Sequence, residues 1–190
     1  TAIVVDVEDY SKIIADIKKF GGITLKLRKV LASKAFRKIM LYDLAISDWF
    51  QKNIGDKRDN HLILSGKKID DLRYGENPHQ SASVYSLGLN NEEIFYSKQH
   101  GKELSFNNLN DLKAGLSLLA EFDFPASVII KHAIPCGVAE DKNILNAWNK
   151  SLKADELSAF GGVVSLNRNI DKKLAIELNK IFLEVIAAKS

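Results

Sequence analysis

The sequence has very little of what builds disulfide-stabilised or cysteine-rich metal-binding domains. Cys136 is the only cysteine among 190 residues, which excludes an internal disulfide and a zinc site made of several thiolates. A lone cysteine fits a reducing compartment, so we expect the protein to be cytoplasmic. No apolar run approaches the roughly 20 residues of a membrane-spanning helix, and the first residues lack the charged and apolar regions of a signal peptide.

An excess of charge of one sign is missing as well. Twenty-seven Lys and Arg residues against 24 Asp and Glu residues leave a net charge of only +3. This charge is too small to indicate a nucleic-acid or membrane partner. With 46% hydrophobic and 27% charged residues, the composition is that of a folded globular protein. Because the first residue is Thr1 and not Met, we expect the chain to be part of a longer protein.

The first third of the chain is predicted to be mainly helical. Residues 2–5 are strand-like, and Asp9 is placed to cap a helix that stops at Gly21. A broad apolar stripe predicts a second, long helix over residues 25–52. Residues 51–61 are almost all polar, which makes them the best linker candidate.

The region after the linker is predicted to begin a second domain. Short strands are expected at residues 62–64 and 83–85, with the polar loop 66–82 between them. Asn107 or Asn108 can then cap a helix that carries regularly spaced leucines.

From residue 126 onward the pattern alternates between buried strands and amphipathic helices, which predicts an α/β fold. In such sheets the carboxyl ends of the strands face the ligand crevice. The predicted elements are strands at 126–130, 163–166 and 185–188, a helix at 143–153, and a last helix that opens at Asp171 and has an apolar face reaching Phe182.

Lys131 and His132 directly follow the predicted strand 126–130. Adjacent residues on a regular strand point to opposite faces, but Pro135 and Gly137 indicate a turn that can bring both side chains to one reacting centre. There, His132 would accept a proton near neutral pH, and Lys131 would supply a positive charge or a proton. The alternative is a solvated lysine beside a capping histidine.

Three further polar positions are candidates for ligand binding. In the loop 72–80, Arg73 offers a donor fork suited to phosphate, and Tyr74 offers a flat ring and a hydroxyl group. The glycines of segment 158–162 allow close approach of the backbone to a ligand. Simpler explanations fit these residues equally well. The loop can be a tight surface turn, the glycines can simply allow the chain to bend before a strand, and Asn108 can be a helix cap.

A zinc-dependent nucleobase deaminase is excluded by its missing ligands. Such enzymes place Glu two residues after the ligand His, and a Cys-x-x-Cys pair follows. Here Ile134 stands in the place of that Glu after His132, and Ala139 stands where a second cysteine would follow Cys136.

Six segments, in order along the chain, resemble the bifunctional purine-biosynthesis family AICAR transformylase/IMP cyclohydrolase, and the resemblance as a whole extends over essentially all 190 residues. The first resembles the end of the cyclohydrolase domain, and the other five resemble signature segments of the transformylase domain. They are KAFRKIMLYDLAISDWF, LRYGENPHQ, KELSFNNL, VIIKHAIPCGVA, LSAFGGVVSLNR and FLEVIAA.

The resemblance implies that residues 1–55 complete a cyclohydrolase domain and that residues 60–190 form the first subdomain of the transformylase. That subdomain would be a three-layer α/β/α structure similar to cytidine deaminase, preceded by a mainly helical segment. The implied reaction transfers a formyl group from the co-substrate 10-formyltetrahydrofolate to the nucleotide AICAR. A homodimer is implied, and no metal is expected in this segment.

The resemblance also implies roles for individual residues. Lys131 and His132 would be catalytic, and His79 and Asn77 would support the nucleotide-binding loop. The residues that would bind the nucleotide are Arg73, Tyr74, Asn108, Phe160, Gly161 and Glu184. The sequence departs from the family pattern at Ile134, where Asn is usual, and at residues 155–157, where Asp-Pro-x is usual.

A rival interpretation is that the chain is a non-catalytic fragment of the same enzyme that binds nucleotide and dimerises. A third is a stand-alone nucleotide sensor, which predicts tight binding that does not depend on His132.

Overall fold

The computed structural model describes residues 1–54, 63–87 and 96–189, and these residues divide into two compact units. The first unit is drawn from Thr1–Lys67 and Ser86–Ile94, and the second from Lys68–Tyr85 and Phe95–Ser190. The chain begins with helices and continues into mixed α/β structure, so the predicted fold class is confirmed. The predicted domain boundary between residues 55 and 60 lies outside the described residues.

Two helices dominate the first unit, after a single 3-10 turn. The bounds are Val7–Asp9 for the turn, Tyr10–Phe20 for α1 and Leu25–Ile54 for α2. As predicted, α1 ends at Gly21, which adopts a left-handed φ of 70° and donates its N–H to the carbonyl of Ile17 over 2.9 Å. The Asp16 carboxylate then accepts hydrogen bonds from the backbone N–H and the hydroxyl of Thr24 at 2.9 and 2.7 Å, which fixes the turn into α2.

Two predictions for the beginning of the chain are wrong. Residues 2–5 form no strand, because no other strand pairs with them within the described residues. Asp9 occupies the N-cap position of α1, but its side chain makes no capping bond. The buried Asp9 carboxylate instead accepts hydrogen bonds from Lys34 at 2.6 and 2.7 Å and from Lys12 at 3.1 Å. The hydrogen bond from Lys34 is the main reason why the pKa of Asp9 is lowered.

The long helix predicted over residues 25–52 is confirmed as α2. It continues through residues 51–54, so the first part of the predicted linker is helical, and the remainder lies outside the described residues. Only Leu31 and Ala35 of this helix are buried among the described residues, although the apolar stripe is far broader.

Residues 63 and 64 of the strand predicted at 62–64 are not in a strand, and residue 62 lies outside the described residues. A two-stranded sheet follows, and it takes up part of the predicted polar loop. Its strands are β1 (Gly66–Leu72) and β2 (Ala82–Leu87), of which β2 contains the predicted strand 83–85. All of β1 except its last residue is exposed, so hydrophobicity could not reveal it. The side-chain contacts of this strand are polar. Asp71 accepts a hydrogen bond from Ser83 at 2.7 Å and forms an ion pair with Lys68 at 2.6 Å.

The centre of the second unit is a mixed four-stranded sheet. Its strands are β3 (Ala126–Lys131), β4 (Ile134–Glu140), β5 (Val163–Leu166) and β6 (Val185–Ala188). They lie in the order β4-β3-β5-β6; β3 is antiparallel to both β4 and β5, whereas β5 and β6 are parallel. The strands predicted at 126–130, 163–166 and 185–188 are confirmed.

Helices cover both faces of this sheet and make three layers. Their bounds are Phe106–Leu119 for α3, Ile144–Ala154 for α4, Glu156–Ala159 for α5 and Lys172–Leu178 for α6. On one face, α3 packs against Val128 and Ile130 of β3. On the other face, Trp148 of α4 packs with Ile129 and Val164 in a core that α6 completes. Alternate residues of β3 thus enter opposite cores, as a strand buried on both faces requires.

The sequence analysis missed strand β4. Pro135 and Gly137 were interpreted as a turn, yet both lie inside the strand. Proline is tolerated here because β4 lies at one edge of the four-stranded sheet, and a shift of register between Ile129 and Ile130 accommodates it. The hairpin turn instead lies immediately before Ile134.

Helix boundaries needed two corrections. Ser105, and not Asn107 or Asn108, is the N-cap of α3, because its hydroxyl accepts the Asn108 N–H at 3.1 Å. Asp171 caps α6 as predicted, with a 2.7 Å bond from Leu174, but the helix ends at Leu178, so the apolar residues near Phe182 lie beyond it. The helix predicted over 143–153 is confirmed as α4, with Asn143 as its cap.

Gly137 is required where β4 meets α4. A Cβ atom at this position would clash with the backbone carbonyl of Ser151, which cannot move without shifting the helix. We expect Gly137→Ala to lower the free energy of unfolding by about 1–3 kcal/mol, measured by thermal denaturation. Gly22→Ala is the matched control, since a Cβ at Gly22 meets nothing within 4 Å. Equal melting temperatures for the two variants would contradict the prediction.

Candidate active site

The β3–β4 hairpin is closed by a two-residue turn made of His132 and Ala133. Their φ angles are 56° and 60°, and the flanking residues Lys131 and Ile134 pair with each other. Positive φ at both central residues is the geometry of a type I′ turn, which normally selects Asn and Gly. Among the described residues these are the only non-glycine residues with positive φ, and each costs about 1–2 kcal/mol.

The two predicted catalytic residues stand at this turn in different settings. Lys131 is half-buried at the end of β3, and its ammonium group donates to the carbonyl of Phe160 over 2.6 Å. His132 is exposed at the tip of the turn and makes no hydrogen bond to any described residue. The chain therefore turns at residues 132–133 and not at Pro135 and Gly137, where the turn was expected. Convergence of both side chains on one reacting centre stays a prediction.

Asp111 of α3 holds the turn from one side. Its carboxylate accepts the backbone N–H of Ala133 over 2.6 Å. A hydrogen bond to a charged group contributes about 1.5–3 kcal/mol, so this single contact offsets much of the cost of the left-handed turn. The sequence analysis missed Asp111. Its signal was the spacing of three residues from Asn108, which places both side chains on one face of the helix.

The segment before β5 is adjacent to Lys131 because β3 and β5 are antiparallel. Gly161 has a φ of 72°, and its N–H donates to the carbonyl of Phe182 over 2.8 Å. The rings of Phe160 and Phe182 lie 5.6 Å apart between their centroids. These contacts link the segment before β5 with the segment before β6. A further bond joins the same segments, because the N–H of Glu184 donates to the carbonyl of Gly162 over 3.0 Å.

The short helix α5 delivers Phe160 to this position. Asp155 caps the helix, since its carboxylate accepts the Ser158 N–H at 2.9 Å. The side-chain hydrogen bond from Ser158 is the main cause that lowers the pKa of Asp155, and the positive charge of Lys131 acts in the same direction. The departure from the usual family pattern at residues 155–157 therefore preserves the helix cap.

Asn108 joins the helix α3 to Glu184. Its side-chain oxygen accepts the Ser105 N–H at 3.0 Å, which completes a capping box. Its amide nitrogen donates to Glu184 Oε2 over 2.5 Å. Both the oxygen and the nitrogen of this buried amide thus have fixed partners. Asn108 and Glu184, both predicted to bind the nucleotide, contact each other although they lie 76 positions apart in the sequence.

The Arg73–Tyr74 loop is attached to the amino end of α3 through its backbone. The N–H of Arg73 donates to the carbonyl of Leu104 at 2.9 Å, and the Tyr74 carbonyl accepts the N–H of Phe106 at 3.1 Å. The exposed Arg73 guanidinium lies over the Tyr74 ring, 4.9 Å from its centroid, and donates to the Tyr74 hydroxyl at 3.2 Å. Its remaining N–H groups can bind an anion.

The second half of that loop is closed by Gln80. Gln80 receives the Gly75 N–H on its backbone carbonyl and the Asn77 N–H on its side chain, both over 2.8 Å. His79 is exposed, and no hydrogen bond or ion pair joins it or the Asn77 side chain to Arg73 among the described residues. Their supporting role stays a prediction.

The amino end of α3 therefore connects the predicted site residues. It is bonded to the Arg73–Tyr74 loop, to Glu184 and, one turn later, to the hairpin turn. Lys131 and His132 lie at the carboxyl end of β3, as predicted, whereas Phe160, Gly161 and Glu184 precede the amino ends of β5 and β6. These strand ends lie side by side. The reason is that β3 runs antiparallel to β5.

Metal binding and thiol reactivity have little support among the described residues. No group of three or more His, Cys, Asp or Glu side chains is arranged to hold a metal ion there. Cys136 donates to the carbonyl of Ile129 over 3.6 Å, and burial raises the pKa of its thiol. None of the helices in this part of the chain combines the length and apolar character needed to cross a membrane.

Comparison with known families decides the identity. The profile of the AICARFT/IMPCHase bienzyme matches residues 1–190. The chain belongs to this family. Its relatives include proteins named bifunctional purine biosynthesis protein PurH. The one from Rhodospirillum rubrum is 47% identical over 188 residues, and that from Parvibaculum lavamentivorans is 46% identical over 190, each alignment covering 98% of this chain.

A third relative in the AICARFT/IMPCHase family, from Bacillus cytotoxicus, is 42% identical over 191 residues and matches the whole chain. The chain spans only 36%, 35% and 37% of the length of these three relatives. The resemblance inferred from sequence motifs is thus confirmed at the level of the family.

The contact between Asn108 and Glu184 can be tested by placing a second negative charge beside Glu184 and measuring stability. We expect Asn108→Asp to cost about 1–3 kcal/mol of stability at pH 7, because two carboxylates then face each other. Protonation relieves this repulsion, so the loss should shrink as the pH falls toward 4. Thermal denaturation at both pH values measures it.

Adding Glu184→Gln to Asn108→Asp is the matched control, because the new amide can donate to the new carboxylate. We expect it to restore the melting temperature at pH 7. A loss that is independent of pH, or no recovery in the double variant, would contradict the Asn108–Glu184 contact.

Proposed function

We propose that this chain supplies part of the active site for formyl transfer in de novo purine biosynthesis. The reaction would move a formyl group from 10-formyltetrahydrofolate to the amino group of AICAR. The observation that carries the proposal is the attachment of three site segments to α3, namely the Arg73–Tyr74 loop, Glu184 and the His132 turn. Membership of the AICARFT/IMPCHase family supplies the reaction class.

In the proposed reaction the AICAR amine attacks the formyl carbon. A new carbon–nitrogen bond forms, and the bond from the formyl carbon to the folate nitrogen breaks. The amine is a weak nucleophile because its lone pair is delocalised into the imidazole ring. His132 accepts the proton that the amine loses, since an imidazole can exchange protons near neutral pH. The exposed position of His132 on the turn leaves its ring nitrogens available to a substrate.

Lys131 assists the same step at the formyl oxygen or at the leaving group. Its ammonium group stabilises the developing oxyanion or protonates the departing folate nitrogen. The bond to the Phe160 carbonyl holds the ammonium in position, and an ammonium keeps further donors for the reacting oxygen.

Nucleotide binding uses the groups that surround α3. Arg73 binds the phosphate, and Tyr74 contacts the heterocycle. Phe160 and Gly161 line the site, and the second carboxylate oxygen of Glu184 accepts a ribose hydroxyl while the first remains bonded to Asn108. Asn77 and His79 support the loop. Because phosphate and ribose are recognised by groups of opposite charge, the nucleotide has one favoured orientation.

The domain assignment is part of the same proposal. Residues 1–55 belong to the end of the cyclohydrolase domain, and residues 60–190 form the first transformylase subdomain, similar in architecture to cytidine deaminase. The three-layer arrangement of the second unit supports this assignment. We also propose that the complete enzyme is cytoplasmic and converts formyl-AICAR to IMP.

A second candidate function is favoured by the short length of the chain. It spans about 36% of its relatives, so the 190 residues alone would bind nucleotide and dimerise without catalysing transfer. Mixing the purified chain with AICAR and 10-formyltetrahydrofolate and following tetrahydrofolate release tests whether these residues catalyse transfer on their own. Turnover by this chain would exclude the non-catalytic interpretation. Turnover only by a protein that spans the full length of the relatives would support it.

His132 is the residue whose loss should affect the reaction most. In the full-length protein we expect His132→Ala to lower kcat by about 10²–10⁴-fold and to leave AICAR affinity within about tenfold, because proton removal matters only along the reaction. His100→Ala, an exposed histidine outside the site, is the matched control. A His132→Ala rate close to that of the control would exclude the proposed base.

A homodimer is the expected state of the full-length enzyme, because the family builds its transformylase sites across a subunit interface. Sedimentation velocity at micromolar concentration should show a dimer. A monomer at all concentrations tested, with full activity, would contradict a shared site.

A further inference from the structure

We propose that Asp111 is a positioning residue for His132: it keeps the His132-Ala133 turn in the left-handed conformation that presents the imidazole to substrate. The inference deepens the proposed function and rests on it for the role of His132. Its structural basis is independent of that role, because it is the 2.6 Å bond from the Ala133 N–H to the Asp111 carboxylate.

The turn itself leaves the Ala133 amide without a partner. In a two-residue hairpin the hydrogen bond that closes the turn joins the residues on either side, here Lys131 and Ile134. The N–H groups of the two central residues are not used by this bond. Asp111 provides an acceptor for the second of them, and it does so from a neighbouring helix and not from the hairpin.

The sequence of the turn makes an external support necessary. Type I′ turns favour Asn, Asp or Gly because left-handed φ is cheap for these residues, whereas His132 and Ala133 have no such advantage. Removal of the support therefore favours other turn geometries for the same two residues. Any of them changes the direction of the His132 side chain while leaving the sheet largely intact.

Asp111 also ties the turn to the nucleotide side of the site. It is half-buried on α3, three residues after Asn108, which is bonded to Glu184. One rigid helix thus sets the position of the proposed ribose-binding pair and of the proposed base. We infer that loss of Asp111 reduces the rate of transfer and leaves nucleotide binding nearly unchanged.

Four variants of the full-length protein test the inference through kcat and the KM for AICAR. Asp111→Ala removes the acceptor and should lower kcat about tenfold to a hundredfold, with KM within about threefold. Asp111→Asn keeps a side-chain oxygen as acceptor without the charge and should stay within about threefold of the wild-type kcat. Asp111→Leu, which retains volume but not the acceptor, should behave like Asp111→Ala.

The fourth variant is a rescue. Adding Ala133→Gly to Asp111→Ala makes the left-handed conformation inexpensive again and should recover most of the lost kcat. A merely structural role for Asp111 predicts no such recovery. Asp171→Ala is the matched control, because Asp171 accepts a backbone N–H at 2.7 Å far along the chain, at the start of α6. It should lower the melting temperature without changing kcat.

The contact can also be measured without substrate, by hydrogen exchange at the Ala133 amide, which should accelerate at least tenfold in Asp111→Ala or Asp111→Leu. Unchanged exchange, wild-type kcat in both of these variants, or no rescue by Ala133→Gly would overturn the inference. Equal damage from Asp111→Asn would show that charge, and not the acceptor, matters, which also overturns it. Near-normal turnover in His132→Ala would exclude the proposed function instead, and the exchange measurement would still decide the contact.

Discussion

The capping box at the start of α3 is the interaction on which the arrangement of the site depends. Ser105 and Asn108 exchange hydrogen bonds of 3.1 and 3.0 Å, and this fixes the first turn of the helix. A helix cap contributes only about 1 kcal/mol to stability. This cap matters more for geometry, because it fixes the part of the helix to which other segments bond. The loop 73–80 and Glu184 bond to this part of the chain, and the turn at 132–133 bonds to α3 one turn later. Segments distant in sequence therefore share one attachment.

Most of the fold could be predicted, because the buried residues of many helices and strands form a recognisable apolar pattern in the sequence. Strands buried on both faces, such as 126–130 and 163–166, are apolar except for one buried serine each, and amphipathic helices such as α4 show their spacing directly. Strands that bury little could not be found this way. Strand β1 is almost fully exposed, and β4 contains Pro135 and Gly137, which only its place at the edge of the sheet permits.

The candidate site was predicted in part because its residues follow strand ends or occupy polar loops, and in part because of the family resemblance. Glu184, for example, has no chemical signal of its own in the sequence. Asp111 was missed because an aspartate on an amphipathic helix normally belongs to the solvated face. The left-handed turn was missed because His132 and Ala133 are residues that do not favour it. Both features depend on contacts between segments about 20 residues apart, which periodicity does not reveal.

The proline in β4 has a consequence for behaviour at high protein concentration. An edge strand with free N–H and C=O groups is a template onto which a strand of another molecule can add. Pro135 lacks one such donor, and the irregular pairing opposite Ile130 twists the strand beside it. Both features discourage intermolecular sheet growth along the hairpin. An edge strand with these two features is a poor template for a strand of another molecule.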